Sequence, residues 1–334
     1  MSKLHRVIAL TLFLVLSLGV VAGCSAKDEP PAQEGTENPV EAASPEPIKI
    51  GTLPTEDALP LWVAEEEGLF QTTGLSVEII TFQAAQERDA AFASGAIDAY
   101  MGDIINSAAL EAGGSPVSLV TVMLGATPAE GRFGIVAKPG SKAKTLADLA
   151  GVPVATSSAS IQEYVFDGLM AEAGVPAAKV KKEVVAKVPA RFELLMSGKL
   201  EAASLPEPLL SLAVSQGAVL IADDTKGANL TQTVLGVSDG YLALPGGMKT
   251  VSELLGVWND AVATINKDPN AWRELLVDKA RLPEPLKNTY IVNTYPDAAA
   301  PTAEMVNPVL DWMKAKDLLK TEVTYDDLVQ PMPE

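Results

Sequence analysis

Few side chains in this sequence could do chemistry, and each kind points the same way. There is one thiol, Cys24, closing the run Val21-Ala22-Gly23-Cys24, and one imidazole, His5. A run of hydroxyls, Ser157, Ser158 and Ser160, stands just ahead of an apolar helical pattern, and four carboxylates, Glu56, Asp57, Asp103 and Glu207, stand at the ends of strand-like segments. One Cys cannot form an internal disulfide, a zinc Cys cluster or an iron–sulfur site, and one His cannot build a site that needs two imidazoles. Serines at a helix start add short hydroxyl donors to the free N–H groups of the first turn, a place for polar or anionic groups. Carboxylates accept hydrogen bonds and attract cations. The chemistry on offer is binding, and no metal or cofactor is expected.

Both singletons fall in the first 24 residues. Lys3 and Arg6 precede an apolar run from Val7 to Val21, the pattern of a secretory signal over residues 1–23. As a helix this run reaches about 22 Å, short of the ~30 Å hydrocarbon core of a bilayer. Val21-Ala22-Gly23-Cys24 resembles the lipobox of bacterial lipoproteins, which implies cleavage before Cys24, lipidation of its sulfur and an extracytoplasmic protein anchored to the membrane by its acyl chains. Cleavage removes His5, Lys3 and Arg6 and no acid. Of 25 bases and 43 acids, 23 bases remain, and the net charge goes from −18 to −20. Histidine-based acid–base chemistry and nucleophilic triads are then excluded, and the protein is not expected to be an enzyme. So acidic a chain also disfavours nucleic-acid binding, which needs clustered Lys and Arg.

Residues 24–47 hold five prolines and six acids against Lys27. Such a composition buries too little apolar surface to fold, and the segment reads as a disordered tether behind the lipidated Cys. From Ile48 onward strands and helices alternate. Strands are predicted over 48–53, 75–82, 97–101, 117–124, 133–138, 152–155, 180–188, 200–204, 219–221 and 241–244. Helices are predicted over 59–67, 84–94, 104–112, 146–149, 161–173, 190–197 and 207–216, and from Thr250 onward the pattern is helical only. This is α/β architecture with parallel strands covered by helices. The two βα series and the helical tail divide the body into a first lobe (48–131), a second lobe (132–244) and a return to the first lobe (245–334). No G-x-G-x-x-G follows a strand and no G-x-x-x-x-G-K-[ST] occurs, so nucleotide binding lacks its phosphate cradle.

Ligands of open α/β sheets bind beyond the carboxyl ends of the strands. That rule selects Thr55 and Asp57 after the first strand, Asp103 after the third, Leu124 at the end of the fourth, Ser157, Ser158, Ser160 and Ile161 at a helix start, and Glu207. Each has a plainer reading beside it. Ser160 and Glu163 match a capping box, and Asp103 matches an N-cap. Glu56 and Asp57 read equally as solvated loop charges, and Glu207 as a complement to a helix dipole. Trp62 has core spacing. Arg132 reads as a surface residue or as a partner for an anion.

Several segments together resemble a known family. Gly51-Thr52-Leu53, Pro60-Leu61-Trp62-Val63-Ala64, Gly68-Leu69-Phe70 and Gly74-Leu75-Ser76-Val77-Glu78 come first in chain order. The segments 91–99, 145–155 and 157–164 follow, and then the tail with Trp312 and Tyr325-Asp326-Asp327-Leu328-Val329. They resemble the nitrate/sulfonate/taurine and thiamine-pyrimidine precursor binding proteins over about residues 48–330. The resemblance implies a type II periplasmic-binding-protein fold, two α/β lobes joined by two crossovers. It also implies a monomeric solute-binding lipoprotein that closes over a small molecule and delivers it to ABC permease and ATPase subunits. In that family the turn at Ser157 holds polar or anionic ligand groups. The excess of acids among the candidate residues favours a neutral or cationic solute, such as an amino-substituted heterocycle, over the anions. A ligand-sensing lipoprotein and an enzyme on the same scaffold are the competing readings.

Overall fold

The computed structural model describes residues 47–130 and 132–330. The signal segment, Cys24 and the tether up to residue 46 lie outside the described residues. The first series runs β1 (Ile48–Thr52), α1 (Leu59–Glu66), α2 (Leu69–Thr73), β2 (Val77–Thr81), α3 (Ala85–Ala93), β3 (Ala99–Asp103), α4 (Ile104–Ala112) and β4 (Val117–Leu124). The second runs β5 (Phe133–Ala137), β6 (Pro153–Thr156), α5 (Ile161–Glu172), β7 (Lys181–Val184), α6 (Val188–Met196), β8 (Ala202–Pro206), α7 (Leu209–Ser215) and β9 (Val219–Asp223). The chain ends with β10 (Thr233–Ser238), α8 (Asp239–Leu242), α9 (Gly247–Lys267), α10 (Arg273–Lys279), α11 (Ala303–Ala315) and α12 (Tyr325–Leu328).

The strands form two five-stranded sheets, ordered β2-β1-β3-β10-β4 and β7-β6-β8-β5-β9. In each, four strands run in one direction and the fifth is antiparallel to both its neighbours: β10 between β3 and β4, and β5 between β8 and β9. The alternation expected of an α/β chain is present, as are two lobes joined by two crossings.

Three expectations change. The last strand is β10, not residues 241–244, where α8 begins instead, capped by Ser238 Oγ on the Tyr241 N–H at 3.1 Å. Thr233-Val234-Leu235-Gly236-Val237 is covered on both faces, so it lacks the alternation by which a half-exposed strand is recognised. The return to the first sheet therefore lies between Asp223 and Thr233, ahead of Leu244. The short helix at 146–149 is a single 3₁₀ turn. The tail is not purely helical, because residues 287–302 run without regular structure.

That irregular segment buries Tyr290, Val292 and Tyr295, so its peptide groups need partners. Side chains supply them. Asn266 Nδ2 donates to Tyr295 O and Asn266 Oδ1 accepts from Tyr295 N, at 2.8 and 2.9 Å. Asn259 Oδ1 accepts from Ala298 N, and Trp258 Nε1 donates to Pro296 O. These three residues lie on α9, which also turns Val251, Leu254, Val257, Ala261, Val262 and Ile265 inward at helical spacing. One helix thus fills the first-lobe core and secures the segment lying across it. Truncating fully buried Trp258 would cost about 3–5 kcal/mol.

The lobes are in contact. Leu212 of α7 joins the first-lobe core, and Tyr164 of α5 joins the apolar cluster formed by α4, β4 and α11. At the crossings the two connecting segments almost touch. A Cβ on Gly125 would lie 1.6 Å from Thr231 O, and its φ of 91° is left-handed, so only glycine fits. Asn229 Nδ2 ties the same point by donating to Gly125 O at 2.7 Å.

Candidate functional site

The carboxyl ends of β1, β3, β6 and β8 bring most of the candidate residues to the line between the lobes. On the first lobe, β1 leads through Leu53-Pro54 into a 3₁₀ turn at Glu56–Ala58. Thr55 Oγ1 donates to Asp57 Oδ1 at 2.5 Å, and Asp57 is only 7% exposed. Burial raises the Asp57 carboxyl above its ordinary range. Glu56 takes two tyrosine hydroxyls from the irregular segment: Tyr290 donates to Oε2 at 2.6 Å and Tyr295 to the Glu56 carbonyl at 2.7 Å. Burial, and then the nearby charges of Glu207 and Asp57, push the Glu56 carboxyl up to about 8 against the Tyr290 bond. No salt bridge reaches either acid among the described residues.

Asp103 ends β3 and caps α4, its Oδ1 accepting from Asn106 N at 2.9 Å. Asp103 also lines a small void between the lobes together with Ile161 and Leu230. Burial raises this carboxyl to about 6, although Arg88 lies near enough to oppose the shift. Arg88 itself is engaged, by Asp89 at 2.6 Å and by Met101 O. Leu124 is a core residue, 3% exposed, with its N–H on Thr233 Oγ1.

On the second lobe, β6 ends at Thr156, whose buried Oγ1 has no hydrogen-bond partner among the described residues. Ser157 Oγ donates to Ala186 O at 3.2 Å and accepts from Arg191 Nη1 at 3.0 Å. Ser160 Oγ is spent: it donates to Ser157 O and accepts from Glu163 N. The capping box is only half formed, because Glu163 Oε2 accepts from Ala159 N at 2.7 Å and not from Ser160. Ala159 sits at φ 49°, the left-handed region that a Cβ disfavours. Ser158 is exposed, and Ile161 faces Asp103 across a small shared void.

Arg191 organises this turn from behind. It is fully buried on α6, and it donates to Ser204 O, Val185 O, Ser157 Oγ and Gln162 Oε1. All four acceptors are neutral, and burial lowers its basicity to about 10. Glu207 is not a free cleft acid. It pairs with Arg132 at 3.2 Å and accepts from Ser211 Oγ and N, and Arg132 also meets Asp223 at 2.9 Å. Arg132 therefore lies between two acids and is not a free anion partner.

A second cluster spans the lobes away from these loops. Glu163 and Asp167 of α5 meet Lys182 of β7 at 2.7 and 2.6 Å, and Lys316, just past α11, at 3.0 and 2.9 Å. Trp312 Nε1 donates to Asp167 Oδ2, and its ring meets Tyr164 edge-on at 5.4 Å. Sequence reasoning misses this cluster, yet it carries a signal. Two acids at i and i+4 repel on an isolated helix and need cations from elsewhere. Tyr290 and Tyr295 carry no comparable signal. Among the described residues no group of His, Cys, Asp and Glu could hold a metal ion, and no helix is long and apolar enough to cross a membrane.

Known proteins share this architecture. The periplasmic aliphatic sulphonate binding protein SsuA of Escherichia coli superposes with a TM-score of 0.71 at 19% identity, covering 87% of this chain and 94% of that one. The alkanesulfonate-binding protein SsuA of Xanthomonas axonopodis pv. citri, bound to MOPS, gives 0.68 at 21%, covering 83% and 96%. The desulfurization enzyme DSZB gives 0.66 at 16%, covering 86% and 96%. At such identities the likeness shows the fold, that of periplasmic binding proteins. No curated protein sequence matches. The NMT1-like family matches over residues 41–275, well over half of the sequence, and on that match the chain belongs to the NMT1-like family.

Proposed function

We propose that this protein is the solute-binding component of an ABC import system, held outside the cytoplasm through lipidated Cys24. It captures a small organic molecule between its lobes and presents the closed form to a permease and its ATPase subunits. The solute is neutral or cationic, an amine or an amino-substituted heterocycle. The observation that carries this reading is the set of carboxylates on the first-lobe wall. Glu56, Asp57 and Asp103 have no salt-bridge partner among the described residues, and burial is the largest cause that makes each harder to ionise. A cation or an N–H donor would relieve that cost, whereas an anion would add to it. Opposite them, the Ser157 turn backed by Arg191 suits hydrogen-bond acceptors on the same molecule.

The mechanism follows from the crossings. Lobes hinged at Gly125 and at residues 224–232 open and close, and a solute touching both walls stabilises the closed form, shifting an equilibrium that exists without it. Asp103 would hold a protonated nitrogen, exposed Ser158 would donate to the solute's acceptors, and Thr55 and Asp57 would border the solute. A monomer suffices for this cycle.

An enzyme on the same scaffold has less support. The described residues contain neither Cys nor His, and the Glu56 carboxylate is taken up by the Tyr290 hydroxyl.

Calorimetry with amines, aminopyrimidines and alkanesulfonates tests the reading. Amines or aminopyrimidines should bind, and Asp103→Asn should weaken them at least tenfold. Because Asn also caps helices well, this substitution should leave the melting temperature within about 2 °C. Wild-type affinity should fall as pH drops below about 6, where Asp103 takes up a proton. Binding of alkanesulfonates alone would overturn the ligand class.

A further inference from the structure

In this closed arrangement the space beside Asp103 is a void of about 10 Å³, room for one water at most. Ile161, Tyr164, Leu230 and Val309 occupy the rest of the gap. On the far side of Tyr164 and Leu230, which line both spaces, lies an open groove of about 360 Å³. That is within the range of small-molecule sites. Its walls come from three places: α5 (Tyr164), the second crossing (Ala228 to Leu230) and the start of α11 (Met305, Pro308). The walls are largely apolar. The charged groups lining the two spaces are Asp103 inside and Glu304 at the mouth, and neither lining contains a Lys or Arg.

The partition between the two spaces has its own built seat. Gly168 lies inside α5, where glycine costs about 1 kcal/mol relative to alanine. A Cβ there would fall 2.7 Å from Leu230 Cδ1, so the missing side chain is the room into which Leu230 docks. Leu230 belongs to the crossing, and hinge motion therefore moves the partition.

Resting on the solute-binding reading above, we propose that the solute is elongated and amphipathic. A protonated nitrogen sits on Asp103, and an apolar or aromatic body runs past Tyr164 and Leu230 into the groove against Met305 and Pro308. Lobe opening lifts Leu230 from Gly168 and admits the molecule lengthwise. On closure the two side chains grip its middle. A compact solute leaves the groove unused, and an elongated one gains apolar burial from it.

The test uses n-alkylamines from butylamine to decylamine and alkanesulfonates of the same lengths, followed by calorimetry and by the fluorescence of Trp312, which touches Tyr164. Amine affinity should rise by about fourfold per methylene until the groove is filled. Two substitutions fill the groove, Met305→Trp and, at an exposed position less able to disturb folding, Ala228→Trp. Each should erase the gain in affinity from butylamine to decylamine. If the gain survives both substitutions, or if amines bind without regard to length, the elongated-solute proposal is overturned and solute binding stands. Binding of sulfonates alone overturns it in the same way. If neither series binds, nor any aminopyrimidine, the solute-binding reading falls and this proposal falls with it.

Discussion

The two lobes are built on one plan, yet they treat charge in opposite ways. Their sheets have the same strand order, with the antiparallel member in the same place. Each buries an arginine at a matching position: Arg88 on α3 donates to Met101 O, in the third residue of β3, and Arg191 on α6 donates to Ser204 O, in the third residue of β8. Arg88 has Asp89 beside it, whereas Arg191 has only neutral acceptors. The loops after the first parallel strands differ too, Glu56 and Asp57 on one lobe against Ser157 and Ser158 on the other. The acids Glu56 and Asp57 of one wall therefore have no salt bridge, and the buried arginine of the other has no carboxylate. Sharing an architecture does not make the walls interchangeable, and a solute between them has a preferred direction.

The largest expected effect comes from the arginines. Arg191→Met takes the donor away from four acceptors and should cost about 3–5 kcal/mol in urea denaturation. Arg88→Met should cost a similar amount, but its loss should be partly recovered by adding Asp89→Asn, which removes the stranded carboxylate. No single acid-to-amide change should rescue Arg191→Met. If one does, the second lobe neutralises its arginine after all and the contrast dissolves.

Glu56 offers the next test. In the unfolded chain its carboxyl ionises near 4.5 and in the folded protein near 8. Between those values the folded state holds the extra proton, so the stability linked to Glu56 is complete below 4.5 and is lost as pH rises through about 8. Melting temperatures should fall across that window, and Glu56→Gln should flatten the fall. An unchanged slope in the variant would assign the pH dependence elsewhere.

The smallest effect is at Lys316. Its amine is held charged by Asp167 and Glu163 against the cost of partial burial, and the pairs are partly solvated, so Lys316→Ala should cost about 1 kcal/mol or less. Because these pairs join α11 to α5, that loss should appear as a larger radius of gyration in solution scattering without solute. A scattering curve identical to wild type would leave the two lobes held together by the apolar contacts and the Trp312–Asp167 hydrogen bond.

Much of this is legible in the sequence, and the gaps have physical causes. Half-exposed strands such as β2 announce themselves by alternation, and helices such as α5 by their caps. The middle strand β10 is sealed on both faces and contains Gly236, so it offers neither signal and its role passes to residues 241–244. Asp103 stands out because a strand end and a helix cap coincide there. Tyr290 and Tyr295 do not, because they lie in an aperiodic segment and reach Glu56 from 234 and 239 residues away. Arg191 is visible as one of two arginines in its lobe, but whether a carboxylate accompanies a buried arginine is decided by packing and not by spacing.

The position of β10 also sets an order of assembly. The second sheet is drawn from one continuous stretch, 133–223, whereas β3 and β4 of the first sheet are joined only through β10. A chain emerging amino terminus first can complete the second lobe while the first is still two unconnected halves. The first lobe then waits for residues about 110 positions beyond β4, and for α9 and the segment it secures. Such long-range closure is slow, so the late arrival of one central strand leaves the larger lobe unfinished while the smaller one can already be complete.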